Sequence, residues 1–93
     1  MDPDIGVQWI AHLQWQASQD GKLSMWTVYD HPTDFPDEFV ARQHVVEGGS
    51  SRPTANAFRA RRIEIIRLIL QNAGLIPMQR DPSDDAKIIE TWL

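Results

Sequence analysis

The chain contains no cysteine. Neither disulfide bonds nor cysteine-bound zinc can therefore stabilise its fold. This absence is typical of proteins in a reducing compartment, so we expect the protein in the cytoplasm. The acidic residues Asp2 and Asp4 at the N-terminus also argue against a secretory signal peptide.

Long apolar runs are missing as well. No segment approaches the roughly 20 consecutive apolar residues that a membrane-spanning helix needs. Hydrophobic residues make up 42% of the 93 positions and include four tryptophans, which is ordinary for a globular domain. A chain of this length can bury one small core, to which tryptophan contributes large areas. We predict a soluble protein with a single compact domain and no membrane partner.

The sequence also lacks recognisable catalytic motifs. The hydroxyl residues within 50–54 lie in no nucleophile motif, and Gly48-Gly49 is not followed by the Lys-Ser/Thr pair of a phosphate-binding loop. His31 or His44 could act with an aspartate in acid-base catalysis. A domain this small, however, has little room for a closed cleft. We therefore predict no enzymatic activity, no cofactor and no small-molecule substrate.

Charge is distributed unevenly along the chain. The formal net charge is -4, but residues 48–80 carry six arginines against Glu64. Acidic segments, 25–47 and 81–93, flank this basic segment on both sides. An acid-base-acid pattern indicates pairing between segments as readily as it indicates a charged partner.

Two strand-like runs near the centre of the chain predict a hairpin. Met25–Tyr29 and Phe39–Val46 are rich in β-branched and aromatic residues. They flank Asp30–Glu38, which holds two prolines and four carboxylates. Proline and aspartate favour turns, so this segment is expected to connect the two strands.

A second hairpin is predicted at the C-terminus. Leu75–Arg80 and Lys87–Leu93 are its strands, and Asp81–Asp85 is its turn. Pro77 has no amide hydrogen to donate to a strand neighbour. Its strand is therefore expected at an edge of the sheet.

The segment between the hairpins predicts one long helix, from about Ala55 to Asn72. Thr54 or Asn56 could cap its start, and Gly74 would end it. Apolar residues recur at helical spacing along one face and widen it on both sides. The members of that face are Phe58, Ile63, Ile65, Ile66, Leu68, Ile69, Leu70 and Ala73.

These elements predict an α+β fold of ββαββ type. A small antiparallel sheet with one long helix packed on one face is the simplest two-layer arrangement. We assign residues 25–93 to this single compact domain and residues 1–24 to an N-terminal extension. Asp2-Pro3 resembles a helix entry, and Ile5, Trp9 and Leu13 follow at helical spacing. The alternation of Val7, Trp9 and Trp15 fits a strand instead.

Four short segments of the sequence resemble those of other proteins. They are Val28–Pro32, Asp34–Pro36, Phe39–Arg42 and Asp84–Trp92. In these segments the chain resembles short bacterial and phage proteins of unknown function. The resemblance covers residues 25–93 and implies one compact unit starting at residue 25. It implies no activity.

The loop after the first strand contains the candidate metal ligands. Asp30, His31, Asp34 and Asp37 combine carboxylates with one imidazole, which suit hard cations and zinc or iron respectively. Their spacing does not match a calcium-binding loop. Aspartates in turns usually accept hydrogen bonds from their own backbone. We therefore predict no metal site, with these four residues as the candidates.

The arginines raise the alternative of nucleic-acid binding, which needs several cations on one surface. On the predicted helix, the arginines from Arg59 to Arg67 surround the axis and form no stripe. We expect Arg62 to reach a carboxylate of the Asp30–Glu38 loop. The full set is Arg52, Arg59, Arg61, Arg62, Arg67 and Arg80.

Binding of another protein is the function that the residues favour. The broad apolar helix and the tryptophans exceed what a thin sheet covers, and aromatic residues and arginine carry most interface energy. We expect Trp26 and Trp92 to fill the core. One or both of Trp9 and Trp15 are expected at a contact with another subunit or with a partner.

We therefore predict a small non-enzymatic interaction module that self-associates as a dimer through its extension or a sheet edge. The alternatives are a nucleic-acid-associated protein that uses the Arg59–Arg67 region, and an inhibitor that presents Asp34–Glu38 and Asp81–Asp85 to a basic partner. The predicted contact residues are Trp9, Trp15, Arg59, Arg62, Asp84 and Asp85.

Overall fold

A computed structural model of the chain describes residues 2–78 and 86–93. The elements, in chain order, are α1 (Pro3–Gln19), β1 (Leu23–Asp30), β2 (Phe39–Glu47), β3 (Ser50–Ala60), α2 (Ile63–Asn72), β4 (Pro77–Met78) and β5 (Ile88–Trp92). The strands form one antiparallel sheet in the order β3-β2-β1-β5-β4. The predicted α+β class is confirmed.

The first predicted hairpin is present, and the described strand residues of the second pair with each other. Strand β1 pairs with β2 along its whole length, with Leu23 opposite Val46 and Asp30 opposite Phe39. Strand β4 pairs with β5, and its terminal place in the sheet confirms the edge position predicted for Pro77. Pairing of β1 with β5 joins the two hairpins into one sheet.

The single long helix and the ββαββ order are not confirmed. Residues up to Ala60 form strand β3, and helix α2 begins only at Ile63. Phe58 is an apolar residue that fits a helical face as well as a strand. It lies opposite Ala41 of β2 and is 5% exposed. Pairing with β2, which is remote in sequence, therefore decides the conformation of this segment.

Helix α2 ends as the sequence predicts. Gly74 follows the helix with a φ of 93°, a conformation that glycine adopts without steric cost. The Leu75 amide donates to the Leu70 carbonyl oxygen at 3.1 Å, as in a Schellman motif. Within the helix, Ile66, Ile69 and Leu70 are buried.

The N-terminal segment is a helix that contributes to the core. The Asp2 side chain accepts a hydrogen bond from the Asp4 amide at 2.9 Å, and Pro3 occupies the first turn. Ile10 has no exposed surface and belongs to the same cluster as Trp26. A boundary at residue 25 stays a prediction about independent folding, and the burial of Ile10 argues against it.

Both helices lie on the same face of the sheet. The core between them and the sheet contains Ile10, Trp26, Val28, Ala41, Phe58, Ile66, Ile69, Leu70, Leu75 and Trp92. Trp26 and Trp92 lie opposite each other on neighbouring strands, at 0% and 4% exposure. Their predicted place in the core is confirmed.

Neither helix has the length and apolar character that crossing a membrane requires, within the part of the chain that the structure describes.

Candidate interaction surfaces

A network of hydrogen bonds between buried and partly buried polar groups links helix α1 to the sheet. The Gln14 side-chain amide donates to the Ser24 carbonyl oxygen at 3.1 Å, and the Gln14 oxygen accepts from the Trp26 indole nitrogen at 3.0 Å. The Ser24 hydroxyl also donates to that Gln14 oxygen. One glutamine thus satisfies a backbone carbonyl and two side chains of strand β1 at the same time.

The network continues into the neighbouring strands through Gln43. Its side-chain nitrogen donates to the Ser24 hydroxyl at 2.8 Å, and its side-chain oxygen accepts from Asn56 at 2.9 Å. Gln43 is 4% exposed. No buried side-chain nitrogen or oxygen lacks a hydrogen-bond partner in residues 2–78 and 86–93. The helix-covered side of the sheet is therefore fully paired.

The outer face of helix α1 has the opposite character. At 100° per residue, Ile5, Gln8, His12 and Trp15 lie opposite the buried Ile10, and all four are exposed. Ile5 is 62% exposed and Trp15 59%. The Trp15 ring stacks on His12 at a centroid distance of 6.1 Å. We call these four residues the α1 outer face.

Charge is absent from the whole length of this helix after its first turn. Residues 5–19 contain no Asp, Glu, Lys or Arg. Most surface helices carry charged residues on the side that faces water. The α1 outer face therefore combines exposed apolar area with an unusual lack of charge, which is a composition more typical of the centre of a protein interface.

The two candidate tryptophans have different environments. Trp9 is half-buried and packs edge-on against Trp26, with ring centroids 5.7 Å apart. It therefore helps to close the core. Trp15 points outward and keeps most of its surface exposed. Of the predicted pair, Trp15 is the residue available to a partner.

The second face of the sheet is not covered by the helices. Side chains alternate between faces along a strand, so the neighbours of the core residues Trp26 and Ala41 point away from the helices. Register places Thr27 opposite Arg42, and Arg42 opposite Ala57. We call this side of β1, β2 and β3 the uncovered sheet face.

The loop between β1 and β2 places Phe35 against this face. The Phe35 amide donates to the Pro32 carbonyl oxygen at 2.9 Å, and the Glu38 amide donates to the Phe35 carbonyl oxygen at 3.1 Å. These two consecutive turns fold the loop back toward the sheet. The Arg59 guanidinium lies 4.3 Å from the Phe35 ring centroid, a cation–π geometry.

A pocket of about 460 Å³ opens beside Phe35. Its lining comprises Phe35, Glu38, Val40, Arg42, Ala57, Phe58 and Arg59. A smaller pocket of about 160 Å³ shares Phe35, Val40 and Arg42 with it. Arg42 therefore lines two adjoining depressions on the uncovered sheet face.

The pKa of His44 is affected by its neighbours on this face. Its Nε2 atom lies 3.2 Å from the Tyr29 hydroxyl. Burial lowers the pKa of His44 below its ordinary value, and the positive charge of Arg42 lowers it further. The folded environment of His44 therefore favours its neutral form.

The candidate metal ligands do not converge. Asp30 and His31 contact each other through Oδ1 and Nδ1. No group of three His, Cys, Asp or Glu side chains that could hold a metal ion occurs among the described residues, which include Asp34 and Asp37. The aspartates of the second turn, with Asp84 and Asp85 among them, lie outside the described residues.

The arginines are dispersed over several elements. Arg59 lies on β3, where its guanidinium is 3.7 Å from a Glu38 oxygen. The contact predicted between the acidic loop and Arg62 is thus made by Arg59. Arg62 instead lies 3.5 Å from Glu64. Because Arg59 belongs to a strand, the predicted Arg59–Arg67 helix does not exist as a single basic element.

Arg67 has an internal partner at the sheet. It pairs with Glu90 of β5 at 2.9 Å, and hydrogen bonding with that carboxylate raises the pKa of Arg67. Arg80 lies outside the described residues. The arginines of the described residues therefore form no single stripe suited to a phosphate backbone. Nucleic-acid binding stays a prediction.

The sequence interpretation missed the residues that organise both surfaces. Gln14 and Gln43 carry the buried network, and Arg42 and Phe35 define the pocket. Two signals were readable: a lone arginine within the apolar run of β2, and the missing charge of residues 5–19. The loop between β1 and β2 brings Phe35 close to Arg42, and no feature of the sequence predicts this.

Comparison of the chain with protein-family models, with curated proteins and with solved structures gives no match.

Proposed function

We propose that this protein is a small non-enzymatic interaction module that self-associates through the α1 outer face. The observation that supports it is the exposure of Trp15 and Ile5 on a helix without a charged side chain from residue 5 to residue 19. Burial of an exposed tryptophan removes a large apolar area from water. Tryptophan is also among the residues that contribute most to interface energy.

A second copy of the chain suits this surface. In a symmetric dimer the same patch lies on both subunits, and residues near the two-fold axis come close to their own equivalents. Like charges brought together in this way would repel. The α1 outer face has no carboxylate, ammonium or guanidinium group, so two copies can meet without that cost.

The sheet edges suit self-association less well. Strand β3 is a long edge of eleven residues, but Pro53 lacks an amide hydrogen and the register with β2 shifts between Arg42 and His44. Proline, charge and irregular pairing are features that prevent edge-to-edge association. Among the described residues, strand β4 comprises Pro77–Met78, and Pro77 lacks an amide hydrogen.

Sedimentation velocity over a concentration series tests the proposal. The wild-type chain of 10.7 kDa is expected to approach twice this mass as concentration rises. Trp15→Lys places a charge in the contact and should weaken association at least about tenfold, as expected for a central tryptophan. Ile76→Lys is the matched control, because Ile76 is 69% exposed and lies outside α1.

Two results would reject the proposal. One is a wild-type chain that stays monomeric up to about 1 mM, a concentration at which an association of only ~4 kcal/mol would be half complete. The other is association that Ile76→Lys abolishes and Trp15→Lys leaves intact, which would place the contact at the sheet edge.

A further inference from the structure

We propose that the pocket of the uncovered sheet face, formed around Phe35, Val40, Arg42, Ala57 and Arg59, binds a carboxylate attached to an apolar body. This site lies on the opposite side of the sheet from helix α1. It does not depend on self-association, and one function can fail without the other.

The pocket has the dimensions and lining of a ligand site. Its volume of about 460 Å³ lies within the roughly 300–1,000 Å³ of pockets that hold small ligands. Phe35, Val40 and Ala57 supply apolar surface. Such pockets combine apolar walls with a few polar groups that fix the orientation of the ligand.

Arg42 supplies the cation that a carboxylate needs. It is half-buried, and its Nη1 atom donates to the Thr54 carbonyl oxygen at 2.8 Å. No carboxylate lies within 4.0 Å of its guanidinium in the described part of the chain. A guanidinium has five N–H donors in a planar fork that matches a carboxylate. The contact with Thr54 thus fixes the side chain and leaves donors for a ligand.

The effect of Arg42 on His44 supports this assignment. The positive charge of Arg42 contributes to the lowered pKa of the neighbouring imidazole. Arg42 therefore places a positive charge close to His44 on the uncovered sheet face.

Arg59 and Glu38 set the net charge of the pocket. Arg59 is held by the Phe35 ring and lies 3.7 Å from Glu38, so one carboxylate already offsets one of the two guanidinium groups. Among the residues that line this pocket, a single positive charge is left for the ligand, and the Asp34 carboxylate lines the smaller pocket beside it. This matches a monocarboxylate better than a phosphate dianion or a nucleic-acid strand.

An NMR titration of the full ¹⁵N-labelled chain tests the site. Phenylacetate is expected to shift the amides of Val40 and Ala57 in a saturable way. Phenylacetamide has the same shape without the charge and should bind at least about tenfold more weakly, since hydrogen bonds between charged groups are stronger than those to a neutral amide. The peptide N-acetyl-Gly-Phe tests a protein C-terminus as the source of the carboxylate.

The ranking of ligands decides the outcome. Tighter binding of phenylacetate identifies a small acid as the ligand class, and tighter binding of the peptide identifies a protein carboxylate. Both results support a carboxylate site. Equal binding of phenylacetamide would overturn it, as would tighter binding of phenyl phosphate or of an eight-residue oligothymidylate.

Three arginine variants connect the binding to its residue. Arg42→Gln should weaken phenylacetate binding at least about tenfold. Arg52→Gln makes the same change of charge on strand β3, but on the opposite sheet face, and should leave binding unchanged. Arg59→Gln, at a more exposed side chain, gives an intermediate loss and serves if Arg42→Gln unfolds the chain. Equal losses in the Arg52 and Arg59 variants would contradict the site.

Discussion

The two outer surfaces of this molecule differ in the charged side chains that they expose. The α1 outer face exposes Trp15 and Ile5 on a helix with no charged residue between positions 5 and 19. The uncovered sheet face, on the other side, places Arg42 and Arg59 around an apolar pocket. The first composition suits a copy of itself and the second suits an anion. A single small domain can thus offer two surfaces that do not compete.

The difference between the two surfaces depends on how helix α1 is held against the sheet that lies between them. Helix α1 is anchored from its inner side by Ile10 and by Gln14, which links it to Ser24 and Trp26. Its outer side contributes nothing to the monomer's core. Changes on the inner side should therefore lower stability, whereas changes on the outer side should alter association alone.

Removal of the inner anchor gives the largest expected effect. A chain that begins at Gly21 lacks Ile10 and Gln14, and so exposes the core around Trp26. We expect it to lose cooperative unfolding in a urea titration followed by tryptophan fluorescence. A folded truncated chain would show instead that residues 25–93 are an independent domain.

Two point variants of the full chain test the contribution of Ile10 to stability separately. Ile10→Ala should cost ~2–5 kcal/mol in unfolding free energy, because Ile10 is completely buried. Ile5→Ala is the control, since Ile5 is 62% exposed and a surface change of this kind usually stays within ~0.5 kcal/mol. Both should be measured on dilute protein, where association does not contribute.

Loss of the polar network gives a smaller effect. Gln14→Ala leaves the Trp26 indole nitrogen and the Ser24 carbonyl without their partner. An unsatisfied buried polar group costs ~1–3 kcal/mol, so we expect a loss of about 2 kcal/mol in urea unfolding. Gln16→Ala, at an exposed position of the same helix, should change stability by less than about 0.5 kcal/mol. Equal effects of the two substitutions would refute the anchoring role of Gln14.

The smallest expected effect concerns pH and the uncovered sheet face. Because the pKa of His44 is lowered in the folded state, the unfolded chain takes up this proton first as pH falls. His44 therefore contributes stability above its unfolded pKa of about 6.5, and this contribution is lost as pH decreases from 7 to below the folded value. His44→Gln should lose less stability than wild type between pH 7.5 and 5.

Arg42 connects this pH effect to the pocket. Arg42→Gln should move the pKa of His44 upward, toward its ordinary value, since it removes one of the two causes of the shift. A titration of the His44 ring protons by NMR measures both proteins. No change in the variant would show that the charge of Arg42 does not affect His44, and a wild-type value at or above 6.5 would contradict the lowered pKa itself.

The sequence predicted those elements whose signal is local. Both hairpins followed from β-branched runs separated by turn residues, and Gly74 marked the end of α2. The tryptophan pair of the core, Trp26 and Trp92, was also predictable, because large aromatic residues within strands tend to face the core.

The helix predicted across residues 55–60 is wrong for a physical reason. Phe58 continues the apolar spacing of α2, and nothing within that segment reveals its pairing with β2. The contacts of helix α1 with α2 and β1 are equally invisible in the local sequence. In both segments the contacts join residues that are distant in the chain.

The candidate surfaces were predictable only in part. Trp15 was proposed as a contact residue from its type, and the structure leaves it exposed. Arg42 belongs to no recognisable sequence motif. A single arginine in a strand can have many structural roles, so its position in the sequence did not indicate a site. Its assignment to a pocket depends on the loop that folds Phe35 against the sheet.

Disulfide crosslinking gives the most direct test of self-association through α1, because the natural chain has no cysteine. Single cysteines are placed at Ile5, Gln8, His12 and Trp15 of the α1 outer face, and at Ile76 as a control. A dimer about a two-fold axis should bring at least one of the four helix positions within the ~4.4–6.8 Å between Cα atoms that a disulfide requires. We expect rapid oxidation to a covalent dimer at that position and not at residue 76. Crosslinking that is equally slow at all five positions, or fastest at residue 76, would contradict the account.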